Sequence, residues 1–387
     1  MFSGRSSFDL APNALAQALV RARASSRPLL DLTESNPTRA GIPYPREAIL
    51  EALARPEALR YEPVAFGLAS AREAVARDLS AHGPAVEASR VVLTASTSEA
   101  YAFVFKLLCD PGDEVLVPVP SYPLFEHLAR LEGVRAVPYR LAYDGVWHVD
   151  LDSVRAAATP RTRAIVGVSP NNPTGSYLKR DELAALAALG LPLVSDEVFA
   201  RYPLREDPTR ALSALEAGAA PLVFALGGLS KLAALPQMKL AWIAVGGAPA
   251  AVEGALGRLE VVADAFLSVG TPVQHAAPLL LASRTTAEDA LRARARDNLA
   301  FARAATAGSA VSVLDVEGGW YAPLRLPRTR SEESWALSLL EEDAVHLHPG
   351  HFFDFPDEAY LVASLITPED AFREGIRRTV ARVDAAT

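Results

Sequence analysis

Short runs of apolar residues, each closed by small or turn-forming residues, alternate along the chain with longer segments whose apolar positions recur every three or four residues. Runs at 90–94, 114–118, 164–168, 192–195, 222–226 and 240–245 read as strands, bounded by Gly, Pro, Asn and Ser. Segments 70–81, 98–108, 122–131, 180–189 and 251–265 carry the helical period instead. Strand, loop and helix in repetition predict an α/β fold: a mainly parallel, doubly wound sheet covered on both faces. An Ala/Arg-rich segment at 287–305 reads as one helix leading into a smaller α+β domain at 281–387. That domain has strands at 311–316 and 321–326 and a closing helix at 368–383. Residues 1–45 are expected to pack with it, which leaves 46–280 as the large domain.

With 387 residues, half of them apolar, the chain can bury a large core. A net charge of -8, with Lys and Arg scattered among Asp and Glu, offers no basic field for nucleic acid. The first twenty residues lack a cationic start followed by an apolar run, so nothing marks them for export and the cytoplasm is the expected location. The most apolar stretch, 211–229, is broken by Glu216 and three glycines and reads as a loop feeding a buried strand, not a membrane span. A single cysteine, Cys109, rules out an internal disulfide and a Cys-based metal cluster, and no metal is expected; its setting at a helix end suits core filling.

Candidate chemistry gathers in four loops that follow predicted strands, where sheets of this kind bind ligands. After 90–94 comes AlaSerThrSerGluAla, small residues that open a helix and offer N–H groups and hydroxyls to an anion; an ordinary N-cap looks the same. After 164–168 comes SerProAsnAsnProThrGly, a rigid turn that carries Asn172. After 192–194 comes SerAspGluValPhe, where Asp196 ends an apolar strand and needs a partner, such as a cationic ring nitrogen, to be tolerated. After 222–226 comes GlyGlyLeuSerLysLeu, where apolar neighbours disfavour the charged form of Lys231 and so favour the neutral amine that attacks a carbonyl.

These segments, in this order, resemble the class I and II aminotransferases, the fold-type I pyridoxal-phosphate enzymes, across nearly the whole chain. Tyr61 and Gly67, the run ProGlyAspGluValLeuValProValProSerTyrPro at 111–123, AsnProThrGly at 172–175, SerAspGluVal at 195–198 and SerLys at 230–231 all fit in register. The resemblance implies that Lys231 holds pyridoxal 5'-phosphate as a Schiff base and then shuttles a proton. Asp196 would keep the pyridine nitrogen protonated, Asn172 would bond the phenolic oxygen, and Tyr122 would stack on the ring. Ser96, Thr97 and Ser230 would bind the phosphate, and Tyr61 would reach the phosphate of a neighbouring subunit, which implies a homodimer with shared sites. The expected partners are a small amino donor and an oxo acceptor, exchanged by transamination. The same chemistry also serves a carbon-sulfur lyase, and a cofactor-binding protein without turnover is a further alternative.

Four positions depart from the family pattern. Phe199 replaces a tyrosine that donates to the phenolic oxygen, Gly228 replaces a phosphate-binding serine, and Lys239 keeps the charge of a phosphate-gripping arginine without its fork. Val362 stands in the register of the arginine that clamps the substrate α-carboxylate. Arg39, or His348 and His351, are the expected partial replacements for that clamp. Trp320, Tyr321, Phe352 and Phe353 line an apolar pocket or fill the core.

Overall fold

The computed structural model describes residues 2–218 and 220–386. Among them, eight strands form the larger sheet: β1 Val91–Thr94, β2 Glu114–Val119, β3 Arg135–Tyr143, β4 Trp147–Val149, β5 Thr162–Val168, β6 Leu193–Asp196, β7 Leu222–Gly228 and β8 Ala241–Gly247. Their order is β1-β8-β7-β6-β5-β2-β3-β4. Neighbours from β7 through β3 run parallel; β8 lies antiparallel between β7 and β1, and β4 pairs antiparallel with β3.

Cover on both faces explains the unbroken apolar runs of the central strands, since a parallel sheet is buried on either side. On one face, α1 Ala69–Ser80 packs through Ala71 and Val75 toward Leu93 and Trp242. On the other, α2 Thr97–Leu108 lays Phe103 and Val104 toward Phe224, Leu226 and Ile243. Strand β7 runs directly into a single-turn helix, α3 Leu229–Leu232, and α4 Pro249–Asp264 joins α2 on its face. Helix α5 Thr271–Ala282 sits beside α1, with Val273, Ala276 and Leu280 buried in the same cluster.

A second sheet holds β9 Ser312–Val313, β10 Tyr321–Arg325, β11 His348–Pro349 and β12 Tyr360–Ser364, antiparallel in the order β9-β10-β12-β11. Helices α6 Thr285–Ala305 and α7 Glu369–Asp384 lie against it, and their core of Leu299, Trp335, Phe372 and Ile376 takes in Leu15, Ala18 and Leu32 from the start of the chain. Leu30 and Asp31 pair in parallel with Val345 and His346.

The pattern reading misses β3, β4 and α5. The strand read at 311–316 shrinks to Ser312–Val313, and the helix read from 122 begins at Phe125. Pro123 disfavours helical backbone at Tyr122, which leaves that tyrosine free in the loop.

Candidate active site

Asp196 closes β6 between Val168 of β5 and Leu226 of β7, and is 7 % exposed. Its Oδ2 accepts the Tyr101 hydroxyl at 3.2 Å and its Oδ1 accepts the Val198 N–H at 3.1 Å. Burial pushes the carboxyl up to about 6, against the pull of these two donors and of the Lys231 charge. Tyr101 projects from the second turn of α2 and is itself buried, which raises its hydroxyl well above the ordinary value and keeps it a donor. The sequence reading passed over Tyr101; its position on the buried stripe of a helix that starts beside the site is the only local signal.

One strand further along, Lys231 sits on α3 with its Nζ 5.0 Å from the Trp320 ring and 5.6 Å from that of Phe199. Burial lowers the amine to about 8, with the Asp196 charge acting the other way. At pH 7 roughly a tenth of such an amine is neutral, some three hundred times more than for an ordinary lysine. Tyr202 donates its hydroxyl to the Lys231 carbonyl at 2.7 Å and packs its ring on Trp320 at 5.0 Å, so it fixes the backbone that carries the amine. Trp320 is both core and wall: fully buried, with a face toward Lys231.

Asn172 follows β5 in a turn braced by its neighbour. Asn171 donates to the Pro120 carbonyl at 3.0 Å and to Thr174 at 2.9 Å, tying the turn to the loop that carries Ser121 and Tyr122. Gly175 takes φ +73, and a Cβ there would meet the Gly318 carbonyl oxygen at 2.6 Å. Asn172 is buried, and its side-chain Oδ1 has no hydrogen-bond partner. Such an orphan is costly unless something else supplies the bond.

At the mouth of α2, Ser96 accepts the Glu99 N–H at 3.2 Å, and Glu99 accepts the Ala95 N–H at 2.7 Å and the Ser268 hydroxyl at 2.6 Å. This capping arrangement uses the Ala95 amide and aims the remaining first-turn N–H groups along the helix axis, where an anion is favoured. Thr97 and Ser230 are partly buried, whereas Lys239 is exposed at φ 51 and Tyr61 is 73 % exposed. Gly228 has a local reason: a Cβ there would lie 3.0 Å from the Ala241 Cβ on the adjacent strand.

On the opposite side, Val362 is 1 % exposed and pairs with both His348 and Pro323. Burial first, then the neighbouring His346, lowers His348 to about 4, so its ring is neutral at pH 7. His346 is engaged by Asp31 at 3.1 Å. His351 is held by Glu332 at 3.1 Å with its side chain 48 % exposed, and Arg39 is exposed; among the described residues no bond links either to Lys231 or Asp196. Tyr321 lies beside Ser35 and Tyr122, and burial pushes its hydroxyl up to about 12. Phe353 is buried, and its carbonyl accepts the Ser121 N–H at 2.9 Å. No group of His, Cys, Asp and Glu that could hold a metal ion occurs among the described residues.

Comparison with known proteins places this geometry. Residues 27–371 match the family described as aminotransferase class I and II. The glutamate-pyruvate aminotransferase AlaA of Escherichia coli K12 is 29 % identical over 253 residues, which is 64 % of this chain and 62 % of that protein, so the match spans less than two thirds of that relative. An aspartate aminotransferase of Streptomyces avermitilis is 28 % identical over 389 residues, covering 96 % of this chain and 92 % of the relative. Among solved structures, a double mutant of Thermus thermophilus aspartate aminotransferase superposes with a TM-score of 0.85 at 26 % identity over 99 % of each chain. Alanine aminotransferase from Pyrococcus furiosus shares the fold with a TM-score of 0.87 at 22 % identity over the full length of both.

Proposed function

The chain belongs to the class I and II aminotransferases, and on that premise we propose that it uses pyridoxal phosphate to move an amino group between an amino donor and an oxo acceptor. The observation that carries this reading is the pair formed by Lys231 and Asp196 at the ends of adjacent strands, one amine held partly neutral and one carboxyl buried with two donors. The residues present fit the cofactor: Asn172 offers a buried side-chain amide that no other described residue engages, with its Nδ2 available to donate, and α2 presents its N-terminus. When bound, pyridoxal phosphate supplies a reactive aldehyde carbon and a ring that draws electrons from the substrate.

Around it, Lys231 Nζ would be the attachment point and the base for the substrate carbon. Asp196 would hold a proton on the ring nitrogen, and Tyr101 would fix the carboxylate that does so. Asn172 would donate its Nδ2 to the phenolic oxygen, and Tyr122 would cover one ring face. Ser96, Thr97 and Ser230 would hold the phosphate with Lys239, and Tyr61 would reach the phosphate of a neighbouring subunit. Phe199 and Trp320 keep water from the lysine. With Val362 buried and His348 neutral, substrate recognition falls to uncharged donors, Tyr321, Ser35 and His348, with Arg39 at the surface; the relatives named above are named for glutamate, pyruvate, aspartate and alanine.

A homodimer is supported by exposed apolar side chains at Leu59, Tyr61, Val64, Val261 and Phe266, of which Tyr61 and Val64 line a groove together with Ala263 and Leu267. A buried apolar core drawn only from 1–45 and 281–387, and another drawn only from 46–280, support the division into a large domain at 46–280 and a smaller one at 281–387 joined by the first 45 residues, with Leu314, Phe353 and Val362 packing across the boundary. No helix among the described residues is long and apolar enough to cross a membrane, and cytoplasmic residence is proposed with that in view.

The test is borohydride reduction of the cofactor-loaded protein followed by peptide mass analysis, with Lys231→Ala beside the parent and a panel of amino donors given to each. The label belongs on Lys231, and the Ala variant should lose at least a thousandfold in turnover, in line with removal of a general base and nucleophile. A label on another lysine, or pyruvate and ammonia released without conversion of the cofactor to its amine, would remove this reading.

A further inference from the structure

The smaller sheet turns one face toward Lys231. Side chains alternate along a strand, and Ala322, Leu324, Leu361 and Ala363 all belong to the smaller domain's own core. The intervening Tyr321, Pro323, Val362 and Ser364 therefore point the other way, and His348 joins them because it pairs directly with Val362. Tyr321 ties this face to the site: its ring meets that of Phe199 edge-on at 6.1 Å, and Phe199 lies 5.6 Å from the Lys231 Nζ. Val362 is one diagonal step from Tyr321 across the sheet, about 7 to 8 Å.

No cation serves this face among the described residues. Apart from the Tyr122 phenol, the titrating neighbours of Tyr321 and His348 are Glu34, Asp31 and His346. Glu34 accepts the Asn36 N–H at 2.9 Å and forms no ion pair among the described residues, so it leaves a negative field here. Arg39 ends a short turn whose buried flanks, Pro37 and Ala40, leave it facing solvent. Arg294 is held by the Ala40 carbonyl at 3.2 Å and by Glu369 at 3.5 Å. Arg201 is drawn to Glu288 at 3.5 Å and borders, with Arg210, a separate cavity of about 300 Å³ that excludes Lys231. Arg325 shares the face but stands four residues from Tyr321, roughly 13 Å along the strand, and is exposed.

A carboxylate on this face must either charge His348 or go without a counter-ion. With the ring held at about 4, protonating it at pH 7 costs about a thousandfold. A charge-assisted hydrogen bond returns roughly ten- to a hundredfold, so the balance stays against the acid. An uncharged oxygen meets no such penalty. The His348 ring is partly buried beside Phe352 and Phe353, at 5.8 Å and 6.0 Å, and its nitrogens have no hydrogen-bond partner among the described residues. A neutral imidazole offers one N–H and one lone pair, which suits a hydroxyl, itself both donor and acceptor.

Resting on the transamination reading above, we propose that the amino donor is a 2-amino alcohol without a carboxylate, its hydroxyl bonded to His348 and its side chain laid along Val362 and Pro323. The donor carbon loses its C–N bond, a proton and two electrons, and the donor leaves as a hydroxy ketone. The amino group, the electrons and, by way of Lys231, the proton pass to the aldehyde carbon of the cofactor. The aldehyde oxygen departs as water, and the ketone oxygen is taken from water.

The experiment follows conversion of the cofactor from aldehyde to amine by absorbance in the loaded protein. Alanine, leucine and phenylalanine are each matched to the 2-amino alcohol of the same side chain and to the alkylamine that lacks the hydroxyl. At least one alcohol should react tenfold or more faster than its acid in the second-order rate constant. His348→Leu should lower the ratio of alcohol to alkylamine at least fivefold, through the saturation constant and not the limiting rate, and His348→Gln should recover part of it. Because the ratio compares two donors on one protein, a general loss of folded material cancels; if His348→Leu yields no folded protein, the ranking of donors by the parent decides. An acid that reacts as fast as its alcohol, whether held by Arg39 or by a cation from a second copy of the chain, overturns the inference and leaves the transaminase reading intact. So does silence toward all three alcohols in a protein that borohydride labels on Lys231, or an unchanged ratio in folded His348→Leu. Absence of that label removes the reading and the inference together.

Discussion

Replacing Tyr101 by Phe removes one oxygen from the centre of the site and leaves the ring packing on Phe105 and Phe125 in place. What is lost is the donor to Asp196 Oδ2 at 3.2 Å, one of two hydrogen bonds that the described residues give to a carboxyl whose buried setting already holds it up to about 6. A hydrogen bond to a charged group is worth about 1.5 to 3 kcal/mol, and at this length the lower figure applies, which raises the carboxyl by about one pH unit. Asp196 must be ionised to receive a protonated ring nitrogen, so the affinity of the apoprotein for pyridoxal phosphate should climb as pH rises through about 6. A second climb should follow as Lys231 sheds its proton near 8. In Tyr101→Phe the first climb should move up by about one unit, giving an affinity about fivefold below the parent at pH 6 and close to it at pH 8. Fluorescence titration of apoprotein across pH 5 to pH 9 measures this. Coincident lower limbs for the two proteins would show that Tyr101 does not tune Asp196.

Asn172→Ala should leave the melting temperature of the apoprotein within a degree or two, because the structure gives its Oδ1 no partner to lose; cofactor affinity should fall about tenfold, the worth of one hydrogen bond. Glu317→Ala should destabilise the fold by about 1 to 3 kcal/mol in urea denaturation, because the buried Tyr177 N–H loses its acceptor at 2.9 Å and Lys179 and Arg205 keep only Asp207 and Asp315 as counter-charges. Gly175→Ala should cost about 2 kcal/mol in the same assay through its positive φ and the Gly318 carbonyl at 2.6 Å; a stability equal to the parent would mean that the turn can shift.

How much of this was legible in the sequence depended on whether a residue's role is local. Strands buried on both faces, such as β5 and β6, announce themselves as apolar runs, and Asn172 in the loop after one and Asp196 at the end of the other lie where pattern alone puts them. Strand β3 escaped because Pro138 and two arginines interrupt it, which a strand near a sheet edge tolerates. Helix α5 escaped because Pro278 lies inside it; burial of Leu280 and Leu281 against α1 offsets the missing hydrogen bond. Tyr101 and Tyr202 act through partners 95 and 29 residues away, and no window of sequence shows such a bond. The cavity bordered by Arg201 and Arg210 is a property of six separate segments brought together, so neither arginine looks unusual in its own stretch of chain.

The knot of contacts that binds Leu15 and Leu32 to Ile376 and Val383 has a consequence for biosynthesis. A nascent chain can close the larger sheet while the ribosome is still at work, yet the smaller core lacks its last wall until the final helix emerges. Segment 34–36, whose Glu34 carbonyl accepts the Ser364 hydroxyl, is therefore fixed only after the strand that carries Ser364 has been made. A protein cut short within α7 would keep the strand ends that carry Asp196 and Lys231 and lose part of the core that steadies its first residues.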